Sequence, residues 1–225
     1  FKALELDVGD GYAWNALGFV DGGSVSGKAY NEKECFQQAL ELKADSPIVW
    51  NQLGAEGGGS VNAKAYTSKE CFLKALELDV GYAVAWNNLG SLDGGTVRGK
   101  PYNKKECYQQ ALELDKRNAL AWNGLGVVDG GTVGGKAYNR KECYQQAVKL
   151  KADYAQAWYN LGTQGGGSIN AKEYNGKECY LKALELNADY PFAWNNLGLE
   201  GGGSLNGTTY NEKECYQQAL ELKAD

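Results

Sequence analysis

No histidine occurs in the 225-residue chain. The commonest general base and metal ligand is thereby removed, and any catalysis is left to Cys, Lys or carboxylates. Cations are the minority charge: 23 Lys and Arg face 28 Asp and Glu, a net charge of −5, and no segment gathers them into a patch that could neutralise phosphates. Nucleic acid is therefore not an expected partner. No apolar run approaches the roughly 18 residues a membrane span requires, so no membrane insertion is expected either. Methionine is absent, no secretory signal is visible, and the chain opens in mid-pattern at Phe1-Lys2-Ala3-Leu4-Glu5-Leu6. It reads as an excerpt of a longer array or as a processed product. What is present is enough to fold, since 43% of the residues are apolar and 12% aromatic.

Those residues are strictly spaced. Trp stands at 14, 50, 86, 122, 158 and 194 and Cys at 35, 71, 107, 143, 179 and 215, so both series step by 36 and neither residue occurs elsewhere. Each Trp opens W-x-x-L-G, as in Trp50-Asn51-Gln52-Leu53-Gly54, and each Cys opens a segment such as Cys215-Tyr216-Gln217-Gln218-Ala219-Leu220-Glu221-Leu222. A fixed period of this length signals a stacked repeat array rather than a globular domain. Six periods leave nine residues over, so residues 1–225 read as one array of six units whose ends share a phase and carry no capping unit.

The last unit shows the local logic. Ala193, Trp194, Leu197 and Gly198 fall at helical spacing behind Asp189, a candidate cap, and Pro191, suited to a first turn. This helix A must be short, because Gly201-Gly202-Gly203 follows and each Gly costs a helix about 1 kcal/mol relative to Ala. A polar loop is expected from there to Tyr210. Helix B then starts behind Asn211, which with Glu214 forms a capping box. The box recurs as Asn31 with Glu34, Thr67 with Glu70, Asn103 with Glu106, Asn139 with Glu142, and Asn175 with Glu178. The pattern predicts helix A over about residues 10–20 and helix B over about 31–44, recurring every 36. Tyr before each cap and Cys at the fourth helical position read as a hydrophobic staple, with Cys a small buried apolar group. A Trp that buries about 200 Å² gains roughly 5 kcal/mol of transfer free energy, which the units realise only by stacking.

With W-x-x-L-G followed by C-[YF]-x-x-A-L-E-L, the whole chain resembles the tetratricopeptide repeat (TPR) family, and its period and Val-to-Tyr loop spacing are similar to Sel1-like repeats. The resemblance implies an all-α fold: an α-solenoid of antiparallel helix pairs in a right-handed superhelix, whose A helices line a concave groove that receives peptides. Three departures stand out. Asp21, Gly57, Asp93, Asp129, Gly165 and Gly201 occupy a place usually aromatic, so helix A ends early. Glu32, Ser68, Lys104, Arg140, Gly176 and Glu212 replace a small Ala of helix B, and the Pro that usually follows helix B is missing.

Several features invite a functional reading beside a structural one. Gly22 to Lys28, Gly94 to Lys100 and Gly130 to Lys136 read G-x-x-x-x-G-K, but a helix precedes them and Ala29, Pro101 or Ala137 follows, so a glycine-rich interhelix loop is the better reading than a phosphate cradle. The cysteines form no C-x-x-C and no metal pair with His, and stacked units place them about 8–10 Å apart, beyond disulfide reach. No cofactor and no metal are expected.

The residue after Trp is Asn15, Asn51, Asn87, Asn123, Tyr159 or Asn195, with Gln52, Asn88, Asn160 and Asn196 beside it. A solvated polar face would explain these amides. So would a ladder that hydrogen-bonds an extended peptide or a glycan, and because helix A lacks Lys and Arg the family's carboxylate clamp is absent and a neutral ligand is favoured. Ser24, Ser60, Thr96, Thr132, Ser168 and Ser204 add one loop hydroxyl per unit, and Asn206-Gly207-Thr208 is a sequon, a possible modification site. The expected function is a non-enzymatic protein–protein interaction scaffold that binds an extended peptide or other neutral ligand on its concave A-helix face. The alternative is a structural subunit that self-associates head-to-tail into a filament, glycosylated and extracellular if the sequon is used. Both exclude a compact globule and β-structure between the helical hairpins.

Overall fold

The computed structural model describes residues 7–42 and 46–222. After Lys116 the chain divides into two compact units, each holding three repeats. In the first, the A helices are α1 (Gly11–Gly18), α3 (Pro47–Ala55) and α5 (Ala83–Ser91), alternating with B helices α2 (Glu32–Leu42), α4 (Ser68–Leu78) and α6 (Lys104–Leu114). In the second, A helices α7 (Ala119–Val127), α9 (Ala155–Thr163) and α11 (Pro191–Leu199) alternate with α8 (Arg140–Leu150), α10 (Gly176–Leu186) and α12 (Glu212–Glu221). Each A helix packs on the B helix of its own repeat, and within a unit each B helix packs on the next A helix. The architecture is that of an α-solenoid of tandem helix pairs.

The B helices start where the caps place them. Asn31 and Glu34 exchange backbone and side-chain hydrogen bonds at 2.9 Å, and the reciprocal box is complete at Thr67, Asn103, Asn139, Asn175 and Asn211. The start of α11 differs from expectation. Its N-cap is Tyr190, because Pro191 takes the first helical position, while the Asp189 amide donates to Asn187 Oδ1 in a turn of its own.

The A helices stop after eight or nine residues through two successive left-handed residues. Asp21 (φ +64°) and Gly22 (φ +81°) turn the chain so that the Gly22 amide donates to the Leu17 carbonyl at 3.0 Å. A Cβ at Gly22 would lie 2.2 Å from the Tyr30 carbonyl oxygen, so the second position admits only glycine.

The segment expected to be a polar loop is instead a short antiparallel hairpin. Gly23–Val25 pairs with Lys28–Tyr30, and equivalent pairings occur in the other five repeats, from Gly59–Val61 with Lys64–Tyr66 to Gly203–Leu205 with Thr208–Tyr210. The strands lie within a repeat, joining its A helix to its B helix, so the helical stacking survives them. Two physical features make the hairpin. The turn pairs, such as Asn62-Ala63 and Asn206-Gly207, take positive φ at both residues, the twist that a two-residue hairpin requires. The end of the first strand carries a buried apolar residue, Val25, Val61, Val97, Val133, Ile169 or Leu205. In the second strand of five repeats a Lys ammonium covers the Tyr ring, as Lys64 does over Tyr66 at 4.8 Å, and Thr208 takes that place in the last.

That Tyr is the residue read from sequence as one half of a staple on Cys. Its ring lies edge-on to the Trp of its own repeat, from Trp14–Tyr30 at 4.7 Å to Trp194–Tyr210 at 4.8 Å. The Trp indole in turn ties down the preceding turn, as where Trp86 Nε1 donates to the Val80 carbonyl at 2.7 Å. The hairpin also bonds the repeat before it: Gln37 Nε2 donates to the Ser60 carbonyl at 2.7 Å and Gln145 Nε2 to that of Ser168 at 3.0 Å.

Candidate functional site

The amides of the A helices are placed by helical spacing: one turn carries Trp inward, and the next two residues lie along the flank that meets the neighbouring A helix. The structure joins them across repeats. Asn88 Nδ2 donates to Asn51 Oδ1 at 3.0 Å in the first unit, and Asn160 Nδ2 donates to Asn123 Oδ1 at 2.9 Å in the second. Further bonds extend both pairs: Asn51 donates to Gln52 Oε1, Asn87 to Asn88 Oδ1, and Asn123 to the Tyr154 hydroxyl.

Consequently Asn51, Asn87, Asn123 and Asn160 are buried, with Asn51 only 1% exposed. The amides pair across repeats at two places, one in each unit, and there their hydrogen-bonding capacity binds repeat to repeat. Asn195 is exposed and donates to Asn196 at 3.4 Å, while Gln52, Asn88 and Asn196 are half-buried. The sequence period gives the flank on which these residues lie; it carries no information on how closely the neighbouring helix approaches that flank.

Asn15 stands apart. Its Oδ1 is the one buried side-chain nitrogen or oxygen without a hydrogen-bond partner among the described residues. Asn15 also lines a cleft of about 130 Å³ between α1 and α3, walled by Gly11, Tyr12, Ser46 and Ile48. A second cleft of about 280 Å³, bounded by Ala55, Phe72, Asn88 and Ser91, opens at the other end of the A helices.

Sequence reasoning missed two features of this surface. The first is an exposed apolar residue in the first turn of nearly every A helix: Tyr12, Ile48, Val84, Leu120 and Phe192, with exposed Gln156 at the remaining place. Their own spacing of 36 was a usable signal, hidden because the apolar stripe was read only as core. The second is an aromatic group in the second unit. Tyr159, which replaces the repeated Asn, lies 4.9 Å from Tyr190 and 6.5 Å from Phe192. Burial pushes the Tyr154 and Tyr190 hydroxyls above the ordinary phenol range, and the Tyr154 hydroxyl accepts from Asn123.

The other candidates take structural roles. The lysines of the G-x-x-x-x-G-K segments stack on tyrosine rings in the hairpins. Asn206 is exposed at φ +51°, the first residue of a hairpin turn, which accounts for an Asn at that place. All six cysteines are free and fully buried, and burial pushes the thiols of Cys71, Cys107 and Cys179 up to about 12. The folded chain therefore holds these protons more tightly than the unfolded chain. Their contribution to stability is whole below the ordinary thiol range near pH 8.5 and is lost as pH rises towards about 12. A disulfide reagent at pH 8 is expected to leave the native thiols unmodified and to titrate six after denaturation; urea midpoints are expected to fall from pH 9 to 11. Rapid labelling of native protein would contradict this burial.

Among the described residues no group of three or more Cys, Asp or Glu could hold a metal ion, and no helix is long and apolar enough to cross a membrane. No family profile matches the chain and no curated protein matches it. Among solved structures it is similar to the crystal structure of a Sel1 repeat protein from Oxalobacter formigenes, with a TM-score of 0.60 and 21% identity over 97% of this chain and 89% of that one. At that identity the likeness is one of fold: the tandem helix pairs, hairpin-linked and repeated every 36 residues, have the architecture of a TPR-type, Sel1-like α-solenoid.

Proposed function

We propose that the chain is a non-enzymatic interaction scaffold that holds an extended peptide or another uncharged ligand on the exposed side of its A helices. One observation carries the reading. The six A helices contain no Asp, Glu, Lys or Arg, yet they expose apolar side chains at equivalent places, Tyr12, Ile48, Val84, Leu120 and Phe192. A surface without charge gives an acidic or basic ligand no return for desolvation, while an apolar ligand gains about 25 cal/mol per Å² buried. In this reading Asn195 and the half-buried Gln52, Asn88 and Asn196 bond a ligand's backbone. Asn51 and Asn87 hold Gln52 and Asn88 by hydrogen bonds, and Asn15 lines the first cleft.

The test is a peptide display selection against the full chain. Uncharged, apolar-containing sequences are expected, bound with little dependence on salt, and Ile48→Glu is expected to weaken them by about tenfold or more without loss of helicity. Selection of acidic or basic peptides, or indifference to Ile48→Glu, would overturn the proposal.

A further inference from the structure

The fifth repeat breaks the pattern of the A helices in one particular way. In the other repeats an apolar or aromatic first-turn residue is followed three places on by an amide: Tyr12 by Asn15, Ile48 by Asn51, Val84 by Asn87, Leu120 by Asn123, and Phe192 by Asn195. The fifth repeat holds Gln156 and Tyr159, the amide first and the ring second. Residues three apart share a helix face, so the exchange keeps one amide and one ring on that face of α9 and reverses their order.

The reversal gathers aromatic rings. Tyr159 lies 4.9 Å from Tyr190, the N-cap of α11, and 6.5 Å from Phe192 in the first turn of that helix, tilted by 46° to each. Tyr190 and Phe192 are themselves 6.5 Å apart and meet at 89°. None of the three pairs is stacked face to face, and Phe192 stays 54% exposed, so ring surface is left for a ligand. Amides flank the rings: exposed Gln156 hydrogen-bonds the Tyr190 hydroxyl, and exposed Asn195 shares the helix face of Phe192. Neither α9 nor α11 contains a charged residue.

We propose that this ring cluster binds a neutral saccharide, with a pyranose laid on Phe192 and Tyr159 and its hydroxyls bonded to Gln156 and Asn195. A pyranose whose substituents are equatorial has a flat face of C–H bonds that an aromatic ring can cover, and a rim of hydroxyls that both donate and accept. A primary amide carries donors and an acceptor and so meets a hydroxyl in either sense. A charged group in the same place would be desolvated with nothing opposite to neutralise it. An apolar side chain of a peptide would use the rings alone; the amides beside them favour the sugar. This site rests on the A-helix reading above and gives it a ligand class at one place, fixed by the departure of Tyr159 from the repeat.

Isothermal titration calorimetry of the full chain with cellohexaose and with chitohexaose tests the proposal, with hexagalacturonate as the anionic control. At least one neutral hexasaccharide is expected to bind and the anionic one is not, and Tyr159→Asn is expected to weaken the binding by about tenfold or more. That variant installs the residue that the other five repeats hold at the equivalent place, so circular dichroism is expected to show unchanged helicity. Phe192→Ala, at an exposed ring, is expected to weaken binding in the same way. Binding of neither neutral saccharide, tighter binding of hexagalacturonate, or binding that survives both substitutions overturns the proposal. If neither saccharide binds while display-selected uncharged peptides do, the ligand class is wrong and the scaffold reading stands. If those peptides fail to bind as well, both fail.

Discussion

Replacing Trp86 with Ala is expected to cost about 3–5 kcal/mol, the range for a large aromatic removed from a packed core. Three interactions are lost together. The buried indole leaves a cavity, its edge-on contact with Tyr102 at 4.6 Å disappears, and the Val80 carbonyl loses its donor at 2.7 Å. The last loss matters beyond its own bond, because Val80 belongs to the turn that leads from α4 into α5. A chain whose net stability lies in the usual range of roughly 5–15 kcal/mol would lose a large fraction of it at one position. Urea denaturation followed by circular dichroism measures the change. A loss below about 1 kcal/mol would mean that the Trp series does not form the spine of the array.

Gly162→Ala provides a test in which two physical effects have opposite signs. Helix propensity alone favours Ala in α9 by about 1 kcal/mol. Packing opposes it: a Cβ at Gly162 would lie 2.5 Å from Cε1 of Tyr180 on α10 and 3.1 Å from the Gly176 carbonyl oxygen. The same clash recurs at Gly18 with Phe36, Gly54 with Phe72, Gly90 with Tyr108, Gly126 with Tyr144, and Gly198 with Tyr216. Packing is expected to prevail, with a net destabilisation of about 1–3 kcal/mol. Combined with Tyr180→Ala, the substitution is expected to cost less than the two single changes added, since the collision is gone. A stabilised Gly162→Ala would show that the Leu-Gly pair in every A helix serves something other than close approach of the B-helix ring.

The contrast between these positions shows how much could be read before any coordinates. The period is a recurrence in the sequence itself, and the caps at residues such as Asn103 and Glu106 and the early end of helix A follow from local rules, because each involves residues within one turn of one another. The hairpins do not announce themselves in this way. Their strands are mostly three residues long, too short for an alternating pattern, and turn pairs such as Ser26-Gly27, Asn62-Ala63 and Arg98-Gly99 share no sequence signature beyond tolerance of positive φ. At Asn206-Gly207, where the pair does carry a strong hairpin signature, the sequon was the more conspicuous feature.

The amide ladder was legible as a recurrence and not as a contact. Asn51 meets Asn88, thirty-seven positions on, and a period of 36 cannot reveal a pairing between unlike places in successive repeats. The exposed row was hidden for the opposite reason. Ile48 and Val84 look like core residues, and only their exposure shows that the helix is apolar on more than its buried side.

The functional reading stands on the A helices being the docking side, and amide hydrogen exchange of the full chain, with and without a display-selected uncharged peptide, tests this most directly. Slower exchange is expected in α1, α3 and α5, centred on Tyr12, Ile48 and Val84, with the B helices unchanged. Slowing confined to the B helices or to the hairpins would contradict it.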